Sequence, residues 1–158
     1  MCGRQLFIDL DGVLLRSRST RAPFNTDWEL APYALDFMDW AVANHDCHWL
    51  TTRDANGSHE GILLAFRLAM AAPQLPAIVV SLIRAIRPTR WNANKSSVLP
   101  FGGDFLWLDD NPSTVDLLEL ERRGSQDRWL EVNTDVRPDD LLRVKAVIEG
   151  ASKPDVRF

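Results

Sequence analysis

The chain has 158 residues, of which 46% are hydrophobic and 25% are charged, and its formal net charge is −4. This length is enough for one well-packed core, so we expect a single domain over residues 1–158. No apolar run reaches the roughly 18 residues of a membrane span, and no signal-peptide pattern precedes the first predicted strand, so we expect a cytoplasmic protein that contacts no membrane.

Short apolar segments alternate with segments of helical character along the chain. The predicted strands cover residues 5–10, 47–50, 77–80, 105–108 and 129–132, and the predicted helices cover 32–44, 58–70, 111–124 and 138–149. A polar segment at about 13–30 predicts a short flap. Strands that alternate with helices are typical of parallel sheets that are covered on both faces. The sequence therefore predicts an α/β protein with three layers, built on a doubly wound, mainly parallel five-stranded sheet.

Two carboxylates, Asp9 and Asp11, lie two residues apart at the end of the first predicted strand. In open α/β sheets, ligands bind at the carboxyl ends of the strands. Within a strand the two side chains would share a face, which is unfavourable for like charges unless a cation or a proton intervenes. Gly12 then allows a sharp turn. The pattern favours a metal-assisted carboxylate site over the alternative, an ordinary Asp-Gly turn.

Polar side chains also follow the other predicted strands. Thr51 and Thr52 follow the second strand, Lys95 lies beyond the third, and Asp109 and Asp110 follow the fourth. Taken singly, a threonine could cap a turn, a lysine is usually a surface residue, and Asp110 could cap the next helix. In a parallel sheet, however, all these strand ends open on one edge. We therefore expect one edge to gather four carboxylates, an ammonium and a hydroxyl, with Thr51 favoured over Thr52.

In this order, the residues resemble the four motifs of the haloacid dehalogenase-like (HAD) superfamily of phosphohydrolases. The segment DLDGV at 9–13 is similar to the first motif, Thr51 to the second, Lys95 to the third and the pair at 109–110 to the fourth. The resemblance covers about residues 5–133. The segments WLTT at 49–52 and WLDD at 107–110 are also similar, though less closely, to small HAD domains associated with RNA-repair proteins.

The resemblance implies a Mg²⁺-dependent phosphatase. Asp9 would attack phosphorus and form an aspartyl-phosphate, and Asp11 would protonate the leaving oxygen and later activate water. Thr51 would hydrogen-bond a phosphoryl oxygen, and Lys95 would balance its negative charge. Mg²⁺ takes oxygen ligands, and the ligands implied here are Asp9, the backbone carbonyl of Asp11, Asp109 and Asp110.

The chain leaves little room for a cap domain over such a site. About 40 residues separate Gly12 from Thr51, and about 40 more separate Thr52 from Lys95. Both intervals are largely filled by predicted elements of the core, so we expect a capless HAD-like domain. An open site favours a macromolecular substrate, or a lid supplied by an oligomer, whereas a short flap could also suffice for a small phosphate ester.

Several polar and positively charged side chains are candidate substrate contacts, provided that the segments that carry them border the expected site. Arg16, Arg18 and Arg21 lie on the predicted flap, and Thr52 and Arg53 follow the second strand. These residues suit a polyanion, but they could equally belong to a solvated face. Because the site is expected to be open and the flap carries arginines, we expect a nucleotide or a nucleic-acid phosphate end as substrate. The alternatives are a phosphoprotein or small-metabolite phosphatase, and a non-catalytic phosphate-binding domain similar to a response-regulator receiver.

Overall fold

The structure, a computed structural model, describes residues 3–18 and 27–150. It is an α/β fold with six strands and five helices in the described residues. The strands are β1 (Gln5–Ile8), β2 (Leu15–Ser17), β3 (Trp28–Leu30), β4 (Asp46–Trp49), β5 (Phe105–Asp109) and β6 (Trp129–Glu131). The helices are α1 (Ala34–Asn44), α2 (Glu60–Ala69), α3 (Ala77–Ala85), α4 (Thr114–Arg122) and α5 (Asp140–Gly150).

Four parallel strands form the main sheet, in the order β4-β1-β5-β6. Ile8 of β1 is aligned with Trp49 of β4 on one side and with Leu108 of β5 on the other. The chain passes from β1 to β4, and then returns through α2 and α3 to β5 on the opposite side of β1. The strand order therefore reverses between β1 and β5, where a crevice forms at the carboxyl ends of the strands.

Both faces of the sheet are buried. Because side chains alternate along each strand, successive residues of β1 pack into different hydrophobic clusters. Leu6 and Ile8 belong to a large core cluster to which α1, α2, α3 and α5 contribute. Phe7 and Trp107 belong to a second cluster, which includes Leu120 of α4. Strands buried on both sides read as continuous apolar runs, which explains why β1 and β5 are evident from the sequence.

One predicted strand, at residues 77–80, is wrong. This segment is the start of α3, which begins after Pro76. Val79 and Ile83, four residues apart, are buried, whereas Ile78 is 66% exposed, so the burial follows a helical period. A short apolar run of this kind does not distinguish a buried strand from one face of a helix.

The main sheet consequently has four strands, and the predicted five-stranded sheet is not found in the described residues. A single residue, Arg87, extends the sheet beyond β4. Its N–H donates to Cys47 O at 2.9 Å, and its carbonyl accepts from Trp49 N at 2.8 Å. The other predicted elements are confirmed, with ends that differ by up to three residues.

The described part of the predicted flap contains two short antiparallel strands, β2 and β3. Leu15 pairs with Leu30, and Ser17 pairs with Trp28. Residues 19–26 of the predicted flap, including Arg21, lie outside the described residues. Within residues 3–18 and 27–150, no helix is both long and apolar enough to cross a membrane.

Candidate active site

Three carboxylates meet at the carboxyl ends of the two central strands. Asp9 follows β1 and Asp109 ends β5, and Asp9 N donates to Leu108 O at 2.9 Å, which places the two aspartates side by side. Both side chains are buried. One oxygen from each of Asp9, Asp109 and Asp110 can be chosen so that all three lie within 4.8 Å of one another. The parallel register thus brings together carboxylates that are 100 residues apart in the chain.

The ammonium group of Lys95 lies between two of these carboxylates. Its Nζ is 2.8 Å from Asp109 Oδ2 and 3.3 Å from Asp9 Oδ1. Lys95 begins a 3₁₀ turn, Lys95–Val98, and is itself buried. Because a buried ammonium is unfavourable without a partner, the two carboxylates hold this side chain in the site.

Asp116, which is not among the predicted site residues, anchors the lysine turn. Its Oδ1 accepts from Ser96 N at 2.8 Å, and its Oδ2 accepts from Ser113 Oγ at 2.8 Å. Ser113 also accepts from Asp116 N at the start of α4. The Ser-x-x-Asp spacing is a signal for such a helix cap, but nothing in it indicates the contact with Ser96.

The ionisation of the cluster reflects its excess of negative charge. Burial raises the pKa of Asp9 well above its usual value, and the charge of Asp109 raises it further. Burial also raises the pKa of Asp110 to about 6, again with a contribution from Asp109. Burial lowers the pKa of Lys95, but its neighbours Asp9 and Asp109 outweigh this effect, so the pKa is raised overall. One ammonium therefore does not balance three carboxylates.

The carboxylate cluster has the chemistry of a divalent-cation site. Carboxylate oxygens are hard donors, and Mg²⁺ binds them in an octahedron in which adjacent ligand atoms lie about 3 Å apart and opposite ones about 4 Å apart. One oxygen from each of Asp9, Asp109 and Asp110 lies within 4.8 Å of the others, so a single cation could contact all three. A cation would also reduce the repulsion that raises the pKa of Asp9 and Asp110. The donor set therefore suits a hard divalent cation, and the identity of that cation as Mg²⁺ and the role of the Asp11 carbonyl as a further ligand stay predictions.

Gly12 allows the chain to turn next to this cluster. Its φ is +76°, and a Cβ at this position would lie 2.2 Å from Asp110 Oδ2. Any other residue would therefore clash with the carboxylate and strain the backbone. Thr134 supports the turn, because its N–H and its Oγ1 donate to Gly12 O at 2.8 and 3.1 Å. The sequence contains no signal for this contact.

Thr51 lies on the same edge of the sheet. It follows Leu50, whose N–H donates to Ile8 O at 2.9 Å in continuation of the β1–β4 pairing. The hydroxyl of Thr51 is buried and accepts from Arg53 N at 3.2 Å, so its own proton is available to a ligand. Thr52 is exposed. Thr51 therefore provides a buried hydroxyl at this edge, and its role as the phosphate-binding residue in preference to Thr52 stays a prediction.

Asp11 and Arg53, the predicted acid/base residue and a predicted substrate contact, form an ion pair. Arg53 Nε donates to Asp11 Oδ1 at 2.8 Å, and its distance to Oδ2 is 3.1 Å. Arg53 Nη2 is 2.8 Å from Asp11 Oδ1. The guanidinium group lies over the ring of Trp28 in β3, 5.3 Å from its centroid. The structure thus places Arg53 against the predicted acid/base residue.

The flap arginines are paired with carboxylates of the neighbouring strand. Arg16 Nη1 is 3.7 Å from Glu29 Oε1, and Arg18 Nε is 3.5 Å from Glu29 Oε2. Arg18 Nη1 is also 3.6 Å from Asp27 Oδ1. The antiparallel register of β2 and β3 places Arg16 opposite Glu29, and no sequence pattern predicts this pairing. These partners reduce the positive charge that the flap offers to a polyanion, and none of the described contacts joins Arg16 or Arg18 to Asp9.

Comparisons of the chain with protein-family models, curated protein sequences and solved structures find no match. The resemblance to the HAD superfamily is therefore a hypothesis that depends on the motif residues themselves.

Proposed function

We propose that this protein is a Mg²⁺-dependent phosphatase that acts on phosphate monoesters, with Asp9 as the nucleophile. The observation that carries the proposal is the group formed by Asp9, Lys95 and Asp109 at the carboxyl ends of two adjacent parallel strands. Asp110 completes a cation site beside it, and Thr51 supplies a hydroxyl on the next strand. An ion pair that served only to stabilise the fold would need one carboxylate for the ammonium, whereas two carboxylates contact Lys95 and a third, Asp110, lies beside them.

The first chemical step transfers the phosphoryl group to the enzyme. An oxygen of Asp9 attacks phosphorus, an aspartyl-phosphate bond forms, and the bond from phosphorus to the leaving oxygen breaks. Asp11 gives a proton to that leaving oxygen. Lys95 and the hydroxyl of Thr51 stabilise the charge on the phosphoryl oxygens. A bound divalent cation would offset the repulsion between the dianionic phosphate and the Asp9 carboxylate.

The second step regenerates the enzyme. Asp11, now deprotonated, takes a proton from a water molecule, and the water oxygen attacks phosphorus. The bond between phosphorus and the Asp9 oxygen breaks, which releases inorganic phosphate. Because Asp11 lies two residues from Asp9, the same carboxyl group can act as acid and then as base.

The test of the reaction is Mg²⁺-dependent hydrolysis of p-nitrophenyl phosphate. We expect activity that EDTA abolishes and Mg²⁺ restores, no activity above background in Asp9→Asn, and a loss of about 100- to 10,000-fold in the kcat of Asp11→Asn, because the second step then lacks its general base. A matched control is Asp104→Asn, because Asp104 is exposed at the opposite end of β5. Full activity in Asp9→Asn would overturn the proposal.

A trapping experiment separates the phosphatase from the receiver-like alternative. We expect acid quenching during turnover to retain labelled phosphate on the wild-type protein but not on Asp9→Asn. Stable labelling without release of inorganic phosphate would instead favour a phosphoryl-accepting switch.

For the substrate we propose a nucleotide or the phosphate end of a nucleic acid. A cleft of about 470 Å³ is lined by Arg90, Trp91, Asn92, Asn56 and neighbouring residues. Trp91 Nε1 donates to Thr51 O at 3.0 Å, so this cleft adjoins the residue expected to hold the phosphate. An indole, a guanidinium and amides are groups that bind nucleobases and phosphates.

The substrate class is tested with one panel of phosphate esters. Oligonucleotides phosphorylated at the 5′ or 3′ end, nucleotides, sugar phosphates and a phosphopeptide are compared by kcat/KM. We expect the nucleotide-containing substrates to be preferred, and Arg90→Ala to reduce that preference. A preference for the phosphopeptide or the sugar phosphates would contradict this part of the proposal and leave the phosphatase reaction intact.

A further inference from the structure

The flap reaches the predicted acid/base residue through two consecutive contacts. Trp28 of β3 lies under the guanidinium of Arg53, and Arg53 binds the carboxylate of Asp11. Trp28 is held in turn by the pairing of β3 with β2 opposite Ser17. A cation over an aromatic ring is attracted by the negative charge on the face of the ring, and more strongly where water is excluded. The side chain of Arg53 is 26% exposed and that of Asp11 is 29% exposed, so both groups are partly shielded from water.

The contact between Arg53 and Asp11 is asymmetric. Asp11 Oδ1 receives both short contacts, from Nε and Nη2 at 2.8 Å each. Asp11 Oδ2 lies 3.1 Å from Nε, a longer contact. The guanidinium therefore holds the carboxyl group mainly through one oxygen, and the second oxygen is the better placed to carry a proton to a leaving group.

On the basis of the proposed function, we propose that Trp28 is a positioning residue for the acid step: its ring holds the Arg53 guanidinium, which orients Asp11 toward the leaving oxygen. Arginine suits this task because its planar guanidinium stacks on a ring while it donates hydrogen bonds in its own plane. Removal of the ring leaves the Arg53 side chain free to rotate about its flexible stem. The carboxyl group of Asp11 then loses the single orientation that the fold imposes on it.

The alternative is that Trp28 only packs the flap against the core. Its ring is partly buried and adjoins the main hydrophobic cluster. If packing were its whole role, substitution would lower stability and would reduce the hydrolysis of all substrates by the same factor. The two roles differ in their dependence on the leaving group, because a good leaving group departs without a proton donor and a poor one does not.

The experiment compares Trp28→Leu with the wild-type protein in the presence of Mg²⁺, using p-nitrophenyl phosphate and glycerol phosphate. We measure kcat/KM, which reports the first step, in which the leaving group departs. For Trp28→Leu we expect a loss of about 10- to 100-fold with glycerol phosphate, as part of the contribution of a general acid. The loss with p-nitrophenyl phosphate is expected to be about threefold or less. Trp28→Phe, which keeps a ring, is expected to restore most of the activity with glycerol phosphate.

A matched control is available in α1. Trp40 also lies beside a cation, with Lys145 Nζ 5.5 Å from its ring centroid, but the pair joins α1 to α5. Trp40→Leu is expected to change both substrates by the same small factor. Arg53→Lys, which keeps the charge but loses the planar group, is expected to show the same selective loss as Trp28→Leu, and it serves as a second test if Trp28→Leu does not fold.

The inference is overturned if Trp28→Leu loses the same factor of kcat/KM with both substrates. If Trp28→Leu does not fold, the same result in Arg53→Lys overturns it. Unchanged kinetics in the same variant would overturn it as well. Neither result would affect the proposed phosphatase reaction, which instead fails if Asp9→Asn is as active as the wild-type protein.

Discussion

Replacement of Lys95 by methionine tests the electrostatics of the site without any assumption about the substrate. Methionine preserves much of the length of the side chain but removes the ammonium group that contacts Asp9 and Asp109. Without that group, two buried carboxylates lie side by side in the metal-free protein. The least costly response is for one of them to take up a proton, and Asp9 is the candidate because burial and Asp109 already raise its pKa.

The loss in the free energy of unfolding is limited by the free energy needed to protonate Asp9. An aspartate with an ordinary pKa of about 3.9 costs about 4 kcal/mol to protonate at pH 7, since each pH unit corresponds to about 1.4 kcal/mol. This value is an upper limit for the loss from one carboxyl group, and it agrees with the 3–5 kcal/mol typical of a broken buried ion pair. At pH 5 the same limit falls to about 1.5 kcal/mol.

The sign of the pH dependence is set by the two states of Asp9 in the variant. Its pKa is higher in the folded state than in the unfolded state, so the folded protein binds more protons. Stability is therefore lost as the pH rises. The loss relative to the wild-type protein is expected to be larger at pH 7 than at pH 5, by up to about 2.7 kcal/mol.

The assay is urea unfolding of Lys95→Met and the wild-type protein at pH 5 and pH 7 in EDTA, repeated with Mg²⁺. Added Mg²⁺ is expected to restore part of the stability of the variant, because the cation replaces the missing positive charge. Lys145→Met is the matched control, since Lys145 pairs with Glu149 on the surface of α5 and its loss should be small and independent of pH. An equal loss for Lys95→Met at both pH values would refute the electrostatic reasoning.

Two further substitutions test the residues that hold the site in place, at the turn of Gly12 and at the contact between Asp116 and Ser96. Gly12→Ala should lower the free energy of unfolding by about 1–3 kcal/mol and abolish Mg²⁺-dependent hydrolysis, because of its positive φ and the nearby Asp110 carboxylate. Gly102→Ala, where a Cβ meets no atom within 4 Å, should change neither quantity, and an active, stable Gly12→Ala would contradict the assigned geometry. Asp116→Ala should cost about 1–3 kcal/mol because it leaves the buried Ser96 N–H unpaired. Asp116→Ala should also slow hydrolysis, because the turn that carries Lys95 is less firmly held. If the variant unfolds in urea and hydrolyses substrate like the wild-type protein, Asp116 does not anchor that turn.

Local patterning is sufficient for the α/β class and for the strands that carry the site. β1 and β5 are evident because a parallel strand buried on both faces needs a run of apolar residues. Their ends are evident because polar residues begin there, which is how Asp9 and Asp109 can be found without a structure. Parallel pairing then requires the two ends to meet at one edge, so the cluster follows from the order of elements along the chain.

Other features depend on distances that a sequence does not contain. Residues 77–80 have the apolar character of a strand, and only the packing of α3 against α1 and α2 selects the helical period. The number of strands in the sheet is decided in the same way, since within residues 3–18 and 27–150 the outer edge of β4 pairs with Arg87 alone. Burial of the apolar side chains at 77–80 would stabilise either a strand or a helix, and the more favourable packing determines which of the two forms.

The motif residues of the site are local, but their partners are not. The pattern at 9–13 indicates that Asp11 lies near the nucleophile, yet the contact with Arg53 and the contact of Arg53 with Trp28 join three separate segments. The opposition of Arg16 and Glu29 likewise arises only when β2 and β3 pair. Side-chain chemistry along the chain therefore defines what the site can do, whereas the tertiary fold decides which charges neutralise one another, because electrostatic interactions depend on distance and burial rather than on sequence separation.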